Sequence, residues 1–420
     1  MRNHRDRNVC LDIVKTSNSE TRSLPPFSSW LAVVSLVPFV LGTLHPTLTR
    51  AQDTAALGAA ALGAAAQELG SRPFVNVIQL QGIPERSDPP VVTAMSLSPD
   101  GEWIAAAGDD HAIRIVSIRT GATRTTLQGH TDWVKGLEFS PSGNELASCS
   151  HDGTLRRWQL GDAPKLHKTQ AAGHALLALS YIDECQIYTA GFGDNLYLSL
   201  KDQPNLSIAH VCECKDVRTI ACSPDRQWLA YGGRDGVLRV RRIDRNNTGS
   251  ALSQSPTNQS PTSLSSNDHA DDIASPLHFD RIRTIRFSDD GSKLTSVGED
   301  RRIVHFDIAS RTVLGMSEIP GGKLMGLCLL SENLFAIAGS DNSIRLVGKD
   351  DQQASIKLVG HDGSVSILRK AGDKLISGSF DTTIRIWDIA EAISDSKTKG
   401  RYVHPVAAQF EDSGAGDAVK

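Results

Sequence analysis

The chain has 420 residues, 40% hydrophobic and 22% charged, with a formal net charge of −4. This length accommodates one large domain and two tails, and the composition is that of a soluble globular protein. Residues 1–51 contain six Lys and Arg against three Asp and Glu, so the remainder has 38 basic against 45 acidic residues, a net −7. That balance argues against a nucleic-acid partner, which would favour a basic surface.

The N-terminal segment has the pattern that is typical of an export signal. An apolar run, Trp30–Leu44, follows basic residues and precedes Thr49-Arg50-Ala51. This small-x-small ending predicts a signal peptide over residues 1–51, cleaved before Gln52, and therefore a periplasmic or extracellular protein. The run is shorter than the ~20 residues of a membrane span. If uncleaved, residues 30–44 would instead anchor the chain to a membrane.

Three further segments fall outside any regular pattern. Residues 52–73 are predicted to be an Ala/Gly-rich linker, and residues 401–420 a polar C-terminal tail. Between them, residues 246–272 are rich in Ser, Asn, Thr, Gln and Pro, which predicts a disordered insertion because so little apolar surface is available to bury. The remaining domain spans residues 74–400.

One aspartate recurs through this domain at nearly equal intervals. The gaps between successive copies are 42, 42, 41, 65, 41 and 40 residues. The seven copies are Asp110, Asp152, Asp194, Asp235, Asp300, Asp341 and Asp381. A unit of about 41 residues repeated seven times is a fold-level signal, and the longest gap contains the insertion.

The unit Gly129–Trp158 shows what is repeated. Short apolar runs are separated by turn sequences at Ser140–Gly143 and His151–Gly153, which gives three strands and room for a fourth before the next unit. Four short strands in each of seven units predict an all-β fold, a seven-bladed β-propeller of four-stranded antiparallel blades.

Two units carry a specific resemblance. At Gly129-His130, Asp152 and Trp158, and again at Gly360-His361, Asp381 and Trp387, the chain resembles the WD-repeat family, over roughly residues 74–389. The resemblance implies that the Gly-His histidine, a strand serine, the turn aspartate and the tryptophan form a hydrogen-bonded set in each blade. Structural roles are therefore expected for the seven aspartates and for His130, Trp158, His174, His278, His361 and Trp387.

The other units depart from this set. His174 and Asp194 are followed by Leu200 at the tryptophan place, and His278 and Asp300 by Phe306. The remaining departures are Glu213 at the histidine place and Val116, Arg241 and Val347 at the tryptophan place. The aspartate itself recurs throughout. Trp103 and Trp228 occupy one equivalent place in two units, so they are predicted to be packing residues.

The last unit predicts how the ring closes. Its third strand, Thr383–Ile389, is not followed by a good fourth strand, whereas Phe74–Gly82 resembles the fourth-strand segments of other units. We therefore expect Phe74–Gly82 to complete the last blade, which would remove open sheet edges.

Catalytic and metal sites are not predicted. Ser150, His130 and Asp152 imitate a nucleophilic triad, but Ser379, His361 and Asp381 repeat the arrangement, and a hydrolase needs one activated serine with an oxyanion site. Cys212 and Cys214 form the only close cysteine pair and lack partners for a metal or redox site. Cys149, Cys222 and Cys328 fall on strands and are expected to pack as small apolar groups.

The sequence therefore favours a monomeric, non-catalytic scaffold that binds a protein or peptide and uses no cofactor. Candidate contact residues are Trp133, His151, Arg234 and Phe380, because aromatic and arginine side chains commonly anchor interfaces. Two alternatives stay open: an enzyme or ligand-binding propeller with its site at the mouth of the channel, and a passive subunit of an envelope assembly.

Overall fold

The structure, a computed structural model, describes residues 75–212, 214, 216–243, 272–348, 355–399, 402–403 and 407–409. The expected signal peptide 1–51, the linker 52–73, Glu213 and residues 246–271 of the insertion lie outside these residues.

Seven four-stranded antiparallel blades make up the fold. Blade 1 contains β2 (Val92–Leu97), β3 (Trp103–Gly108), β4 (Ile113–Ser117) and β5 (Thr123–Leu127). Blade 2 contains β6 (Val134–Phe139), β7 (Glu145–Ser150), β8 (Thr154–Gln159) and β9 (Lys165–Ala171). Blade 3 contains β10 (Leu176–Tyr181), β11 (Gln186–Gly191), β12 (Asn195–Leu200) and β13 (Ser207–Val211). Blade 4 contains β14 (Val217–Cys222), β15 (Trp228–Gly233), β16 (Val237–Arg242) and β17 (Ile273–Pro276).

The remaining blades follow in the same order. Blade 5 contains β18 (Ile282–Phe287), β19 (Lys293–Gly298), β20 (Arg302–Asp307) and β21 (Thr312–Glu318). Blade 6 contains β22 (Leu324–Ser331), β23 (Leu334–Gly339), β24 (Ser343–Gly348) and β25 (Ile356–Val359). Blade 7 contains β26 (Val365–Ala371), β27 (Lys374–Ser379), β28 (Thr383–Asp388) and, from the other end of the domain, β1 (Val75–Gln79). The predicted seven-bladed β-propeller is confirmed.

The blades are arranged in a closed ring around a channel. The first strand of each blade contacts the first strand of the next, in the order β2, β6, β10, β14, β18, β22, β26 and back to β2. The second strands are almost wholly buried, as in β7, whereas outer strands such as β9 are mostly exposed. Apolar side chains of neighbouring blades pack between the sheets, so burial accumulates from blade to blade around the ring.

β1 closes the ring as the sequence predicted. It pairs antiparallel with β28, with Val75 opposite Trp387 and Gln79 opposite Thr383. Val75 is fully buried, and Ile78 joins the apolar cluster shared by blades 7 and 1. The prediction that Phe74–Gly82 completes the last blade is thus confirmed, and the first and last repeats are tied by backbone hydrogen bonds.

The end of the chain has more backbone order than the expected polar tail. Helix α1 (Ile389–Lys399) follows β28 directly, and Asp388 Oδ1 accepts a hydrogen bond from the amide of Glu391 at 2.9 Å, which caps the first turn. Beyond it, β29 (Tyr402–Val403) and β30 (Ala407–Gln409) add parallel to β25 and β1. The tail therefore covers two outer edges, which the sequence did not predict because these strands are only two and three residues long.

Candidate functional site

Blades 2 and 7 contain complete hydrogen-bonded sets. In blade 2, His130 Nδ1 lies 2.8 Å from Asp152 Oδ2 and His130 Nε2 lies 2.7 Å from Ser148 Oγ, which also accepts a hydrogen bond from Trp158 Nε1 at 2.8 Å. Blade 7 repeats these contacts at 2.7, 2.7 and 2.8 Å with His361, Asp381, Ser377 and Trp387. Blade 5 has the histidine, aspartate and serine, with Phe306 packed at the tryptophan place.

These contacts fit a neutral imidazole. In that state the Trp158 N–H donates to Ser148, the Ser148 O–H donates to His130 Nε2, and the His130 Nδ1–H donates to the carboxylate. Burial lowers the pKa of His130, and the Asp152 partner only partly offsets this. Burial opposes ionisation of Asp152, but the hydrogen bonds from His130 and Thr154 outweigh it and hold the pKa of Asp152 below its usual range. The polar groups of this set are therefore satisfied.

Blades 1, 4 and 6 use a different partner for the recurring aspartate. There the carboxylate pairs with an arginine four residues later, on the third strand. Asp235 Oδ2 lies 2.7 Å from Arg239 Nη2, and the pairs Asp110–Arg114 and Asp341–Arg345 repeat the contact. Sequence reasoning missed this substitution, because the spacing Asp-x-x-x-Arg also occurs in blades 2 and 7, at Arg156 and Arg385, where the aspartate pairs with histidine.

Blade 3 departs from the sequence alignment by one position. The amide of Phe192 bonds to the carbonyl of Ala175 at 3.0 Å, as His151 bonds to Trp133 at 2.9 Å in blade 2. Phe192 is therefore the counterpart of His151, which puts Gly193 at the aspartate position and Ser199, not Leu200, at the tryptophan place.

Asp194 and His174 consequently do not form the expected pair. Asp194 lies one residue late in its turn and is exposed, and the loop before β10 is two residues shorter than the loop before β6. His174 packs on Tyr197 with ring centroids 5.5 Å apart, and its Nε2 has no hydrogen-bond partner among the described residues. The aspartate recurs in sequence in all seven units but occupies its structural position in six.

The serines of the apparent triads are not the ones that contact the histidines. The serine bonded to each histidine is Ser148 or Ser377, not Ser150 or Ser379. Ser150 Oγ instead donates to the carbonyl of Asp132 at 2.9 Å and accepts the amide of Asp152 at 3.1 Å. These hydroxyls serve loop and turn structure.

An array of aromatic and cationic side chains crosses blades 2 to 4 on one end of the ring. This end, the turn face, carries the turns between second and third strands. The Trp133 and His151 rings stack 6.2 Å apart, and His151 lies 6.1 Å from the Phe192 ring. Lys135 Nζ lies 5.6 Å from the Trp133 ring, and Arg218 Cζ lies 5.0 Å from the Phe192 ring. We call these five side chains the aromatic array.

The array brings together two of the four candidate contact residues. Trp133 and His151 belong to it, whereas Arg234 is exposed on blade 4 and Phe380, 39% exposed, lines the channel from blade 7. Phe192 was missed because Asp194 misaligned its turn and placed Gly193 beside the aspartate. Trp103 and Trp228 are half-buried against apolar clusters, in agreement with a packing role.

Within residues described by the structure, no group of three His, Cys, Asp or Glu side chains is arranged to hold a metal ion. Cys149, Cys212, Cys214 and Cys328 are buried as free thiols, and Cys185 is exposed. No helix in the described part of the chain is long and apolar enough to cross a membrane.

The closed ring of seven four-stranded blades, with histidine–aspartate–serine sets inside them, defines a WD-type β-propeller. A family model described as "WD domain, G-beta repeat" matches residues 80–117, 121–159, 204–241, 275–307 and 352–388. The chain belongs to the WD-repeat family.

Several curated proteins are similar to this chain over part of their length. A WD repeat-containing protein 91 homolog of Dictyostelium discoideum is 24% identical over 304 residues, covering 63% of this chain and 40% of that protein. Nuclear distribution protein nudF 1 of Talaromyces marneffei is 27% identical over 322 residues, covering 74% of this chain and 61% of that protein. Nuclear distribution protein nudF of Aspergillus niger is 41% identical over 83 residues, covering 20% and 18%. The chain spans less than two thirds of each of these relatives.

Proposed function

We propose that this protein is a monomeric, non-catalytic interaction scaffold that docks an acidic protein segment on the turn face. The aromatic array is the observation that carries this proposal. It is continuous across three blades, and Trp133 and Phe192 are 43% and 40% exposed. Exposed aromatic side chains beside cations are typical interface anchors.

The charges around the array specify the chemistry of the partner. Lys135 and Arg218 flank the rings on the channel side, and Arg283 lies close enough to both to affect their electrostatics. Arg218 is held by Asp216 at 2.5 and 2.8 Å, whereas Lys135 has no carboxylate partner among the described residues. An apolar side chain next to Asp or Glu would cover the rings and neutralise the Lys135 ammonium.

The serines of the described histidine–aspartate–serine sets are buried hydrogen-bond partners, which supports a non-catalytic function. Ser148 and Ser377 each accept a tryptophan N–H and face a histidine whose pKa burial lowers, inside the sheets and away from the turn face. The alternative of a ligand site in the channel is favoured by a separate observation, the charged lining of that channel, which is developed below.

The experiment compares two double variants of the full chain. Trp133→Ala with Phe192→Ala removes the exposed rings of the array, and Leu314→Ala with Met316→Ala removes two similarly exposed apolar side chains from the outer strand of blade 5. Proteins captured from source extract are cross-linked and identified by mass, and their acidic segments are then titrated as labelled peptides by fluorescence anisotropy. Peptide binding at least about tenfold weaker for the array variant and unchanged for the control is expected. Equal binding by both variants would remove the array from the interface.

We also propose that the protein is exported, with cleavage before Gln52. The apolar run Trp30–Leu44 and the Thr49-Arg50-Ala51 ending support this. Intact mass measurement on protein from the source organism, separated into cell fractions, tests it. A mature N-terminus at Gln52 in a secreted or periplasmic fraction is expected. A full-length chain in the membrane fraction would favour the anchored alternative, and one in the cytosol would reject export.

A further inference from the structure

Six cationic side chains and a single carboxylate line the described part of the central channel. It encloses about 540 Å³, bounded by the first strands of all seven blades. The basic side chains in its wall are Lys135, Arg218, Arg283, Arg286, Arg369 and Lys370. Glu138 is the one carboxylate among the described residues that line it. This concentration of positive charge lies inside a chain with a net charge of −4.

The cations occupy two levels set by their place on the first strands. Lys135, Arg218 and Arg283 are the second residues of β6, β14 and β18, next to the turn face. At this level two guanidinium groups already have acidic partners. Arg218 pairs with Asp216, and Arg283 Nη1 lies 3.5 Å from Glu299.

Arg286 and Arg369 form the deeper level and lack such partners. They are the fifth residues of β18 and β26, in the blades on either side of blade 6. Arg286 Nη1 donates to its neighbour's carbonyl, Ile285, at 3.2 Å, and Arg369 Nη1 donates likewise to Leu368 at 2.9 Å. Neither guanidinium forms an ion pair within the described part of the chain, although both are only partly exposed.

The electrostatics of this level leave room for an added anion. Burial and the charge of Arg286 lower the pKa of Arg369, which reports mutual repulsion of two guanidinium groups. Burial raises the pKa of Glu138 to about 7, so near neutral pH this carboxyl is only partly ionised and offsets only part of the positive charge. Partly desolvated charges without partners are costly, and an anion between them would relieve that cost.

We propose that the channel binds a small phosphate-bearing anion between Arg286 and Arg369. Planar guanidinium groups match phosphate oxygens in bidentate geometry, which favours phosphate over a simple halide. The volume of the channel lies within the range of about 300–1,000 Å³ typical of small-ligand sites. This site is distinct from the aromatic array and does not depend on the proposed protein partner.

Calorimetric titration of the full chain with inorganic pyrophosphate at low salt tests the proposal. Wild type should bind, and Arg286→Gln with Arg369→Gln should bind about a hundredfold more weakly, because each charge-assisted hydrogen bond contributes at least about a factor of ten. Arg119→Gln with Lys165→Gln, which removes the same charge from exposed positions outside the channel, should bind as wild type does. Glu138→Gln should bind severalfold more tightly.

Four results would overturn the proposal. Three are no binding by folded wild type, wild-type binding by the channel double variant, and equal displacement of pyrophosphate by chloride at the same ionic strength; the fourth concerns the lysine variant described below. Near-ultraviolet circular dichroism establishes that the variants are folded. Arg286→Lys with Arg369→Lys provides a second variant, which keeps the charge but loses the planar, bidentate guanidinium groups. Its binding should be intermediate between that of wild type and that of the glutamine variant. Wild-type affinity in the lysine variant would reduce the site to a nonspecific field, against the proposal.

Discussion

A buried ion pair in blade 2, which also forms hydrogen bonds to blade 3, offers a quantitative test of how this ring is held together. Arg157 on β8 donates to Glu145 Oε1 at 2.8 Å and to the carbonyl of Cys185 at 2.9 Å. Tyr181 of blade 3 donates its hydroxyl to the same Glu145 oxygen at 2.9 Å. Both charged side chains are almost fully buried, so Arg157→Met would leave a carboxylate in the protein interior without its main partner.

The expected loss is about 3–5 kcal/mol, the usual cost of removing one member of a buried pair. Lys201 Nζ, 3.9 Å from Glu145 Oε2, compensates part of the remaining charge and favours the lower end. At about 2.1 cal/mol/K per residue over roughly 300 residues, 1 kcal/mol lowers Tm by about 1.6 °C, so the variant should melt about 5–8 °C lower.

Adding Glu145→Gln to Arg157→Met separates charge from packing. The double variant buries no charge, and the new amide oxygen can still accept the Tyr181 hydroxyl, so at least half of the lost Tm should return. Differential scanning calorimetry at one scan rate measures all four proteins of the cycle. If Arg157→Met and the double variant have the same Tm, the loss comes from packing of the Arg157 stem, and the reasoning about an unpaired carboxylate is refuted.

Three further predictions concern the blade sets and the thiols. Ser148→Ala should lower the free energy of unfolding by about 1–3 kcal/mol in urea titrations, because Trp158 and His130 lose their shared hydrogen-bond partner. An unchanged free energy of unfolding would contradict this prediction. In the Glu138→Gln variant, which lacks the carboxyl whose raised pKa favours folding as the pH falls, stability should fall as pH drops below 6.5, since His130 has its pKa lowered by folding and the unfolded state takes up the proton first; a second loss should follow below 3.8 as the aspartates, whose pKa values folding also lowers, protonate. Thermal melts from pH 7 to 3 would refute this if Tm rose. Cys185 should react with iodoacetamide first and buried Cys149 last, because burial raises the pKa of Cys149 to about 12; mass-resolved labelling in the reverse order would contradict the packing.

The sequence predicts the blade count and the closing strand because both depend on patterns within a single repeat. A strand-turn-strand pattern is encoded within about 41 residues, and Phe74–Gly82 resembles the outer strands that it replaces. The same reasoning misplaced the aspartate of blade 3. Asp194 keeps the expected distance from Asp152 along the chain, but the turn of blade 3 is shifted by one residue, so the spacing matches while the structural position does not.

The array and the channel site depend on contacts between repeats, which no single repeat encodes. Trp133 and His151, 18 residues apart, stack within blade 2, whereas the contact of His151 with Phe192, 41 residues further on, follows from the ring that sets neighbouring blades side by side. The channel cations were accessible in principle. Arg286 and Arg369 share one position of their first strands, and an alignment of the seven first strands would have placed them at one level.

The blade 2 set also positions the loop that carries the array, which gives a polar interior a role in binding. Asp152 Oδ2 accepts the amide of Thr131 at 3.1 Å, and the amide of His151 bonds to the carbonyl of Trp133 at 2.9 Å. The carboxylate therefore holds the Thr131 end of the loop that carries Trp133, and Asp152 directly follows His151 in the turn; a preorganised surface loses less entropy on binding. Asp152→Ala should accelerate hydrogen exchange at Thr131 and His151 while the ring stays folded. The matched change in blade 5, Asp300→Ala, should leave these amides protected. If both variants exchange alike at these amides, the set stabilises the blade without ordering the array, and the coupling between interior and turn face is absent.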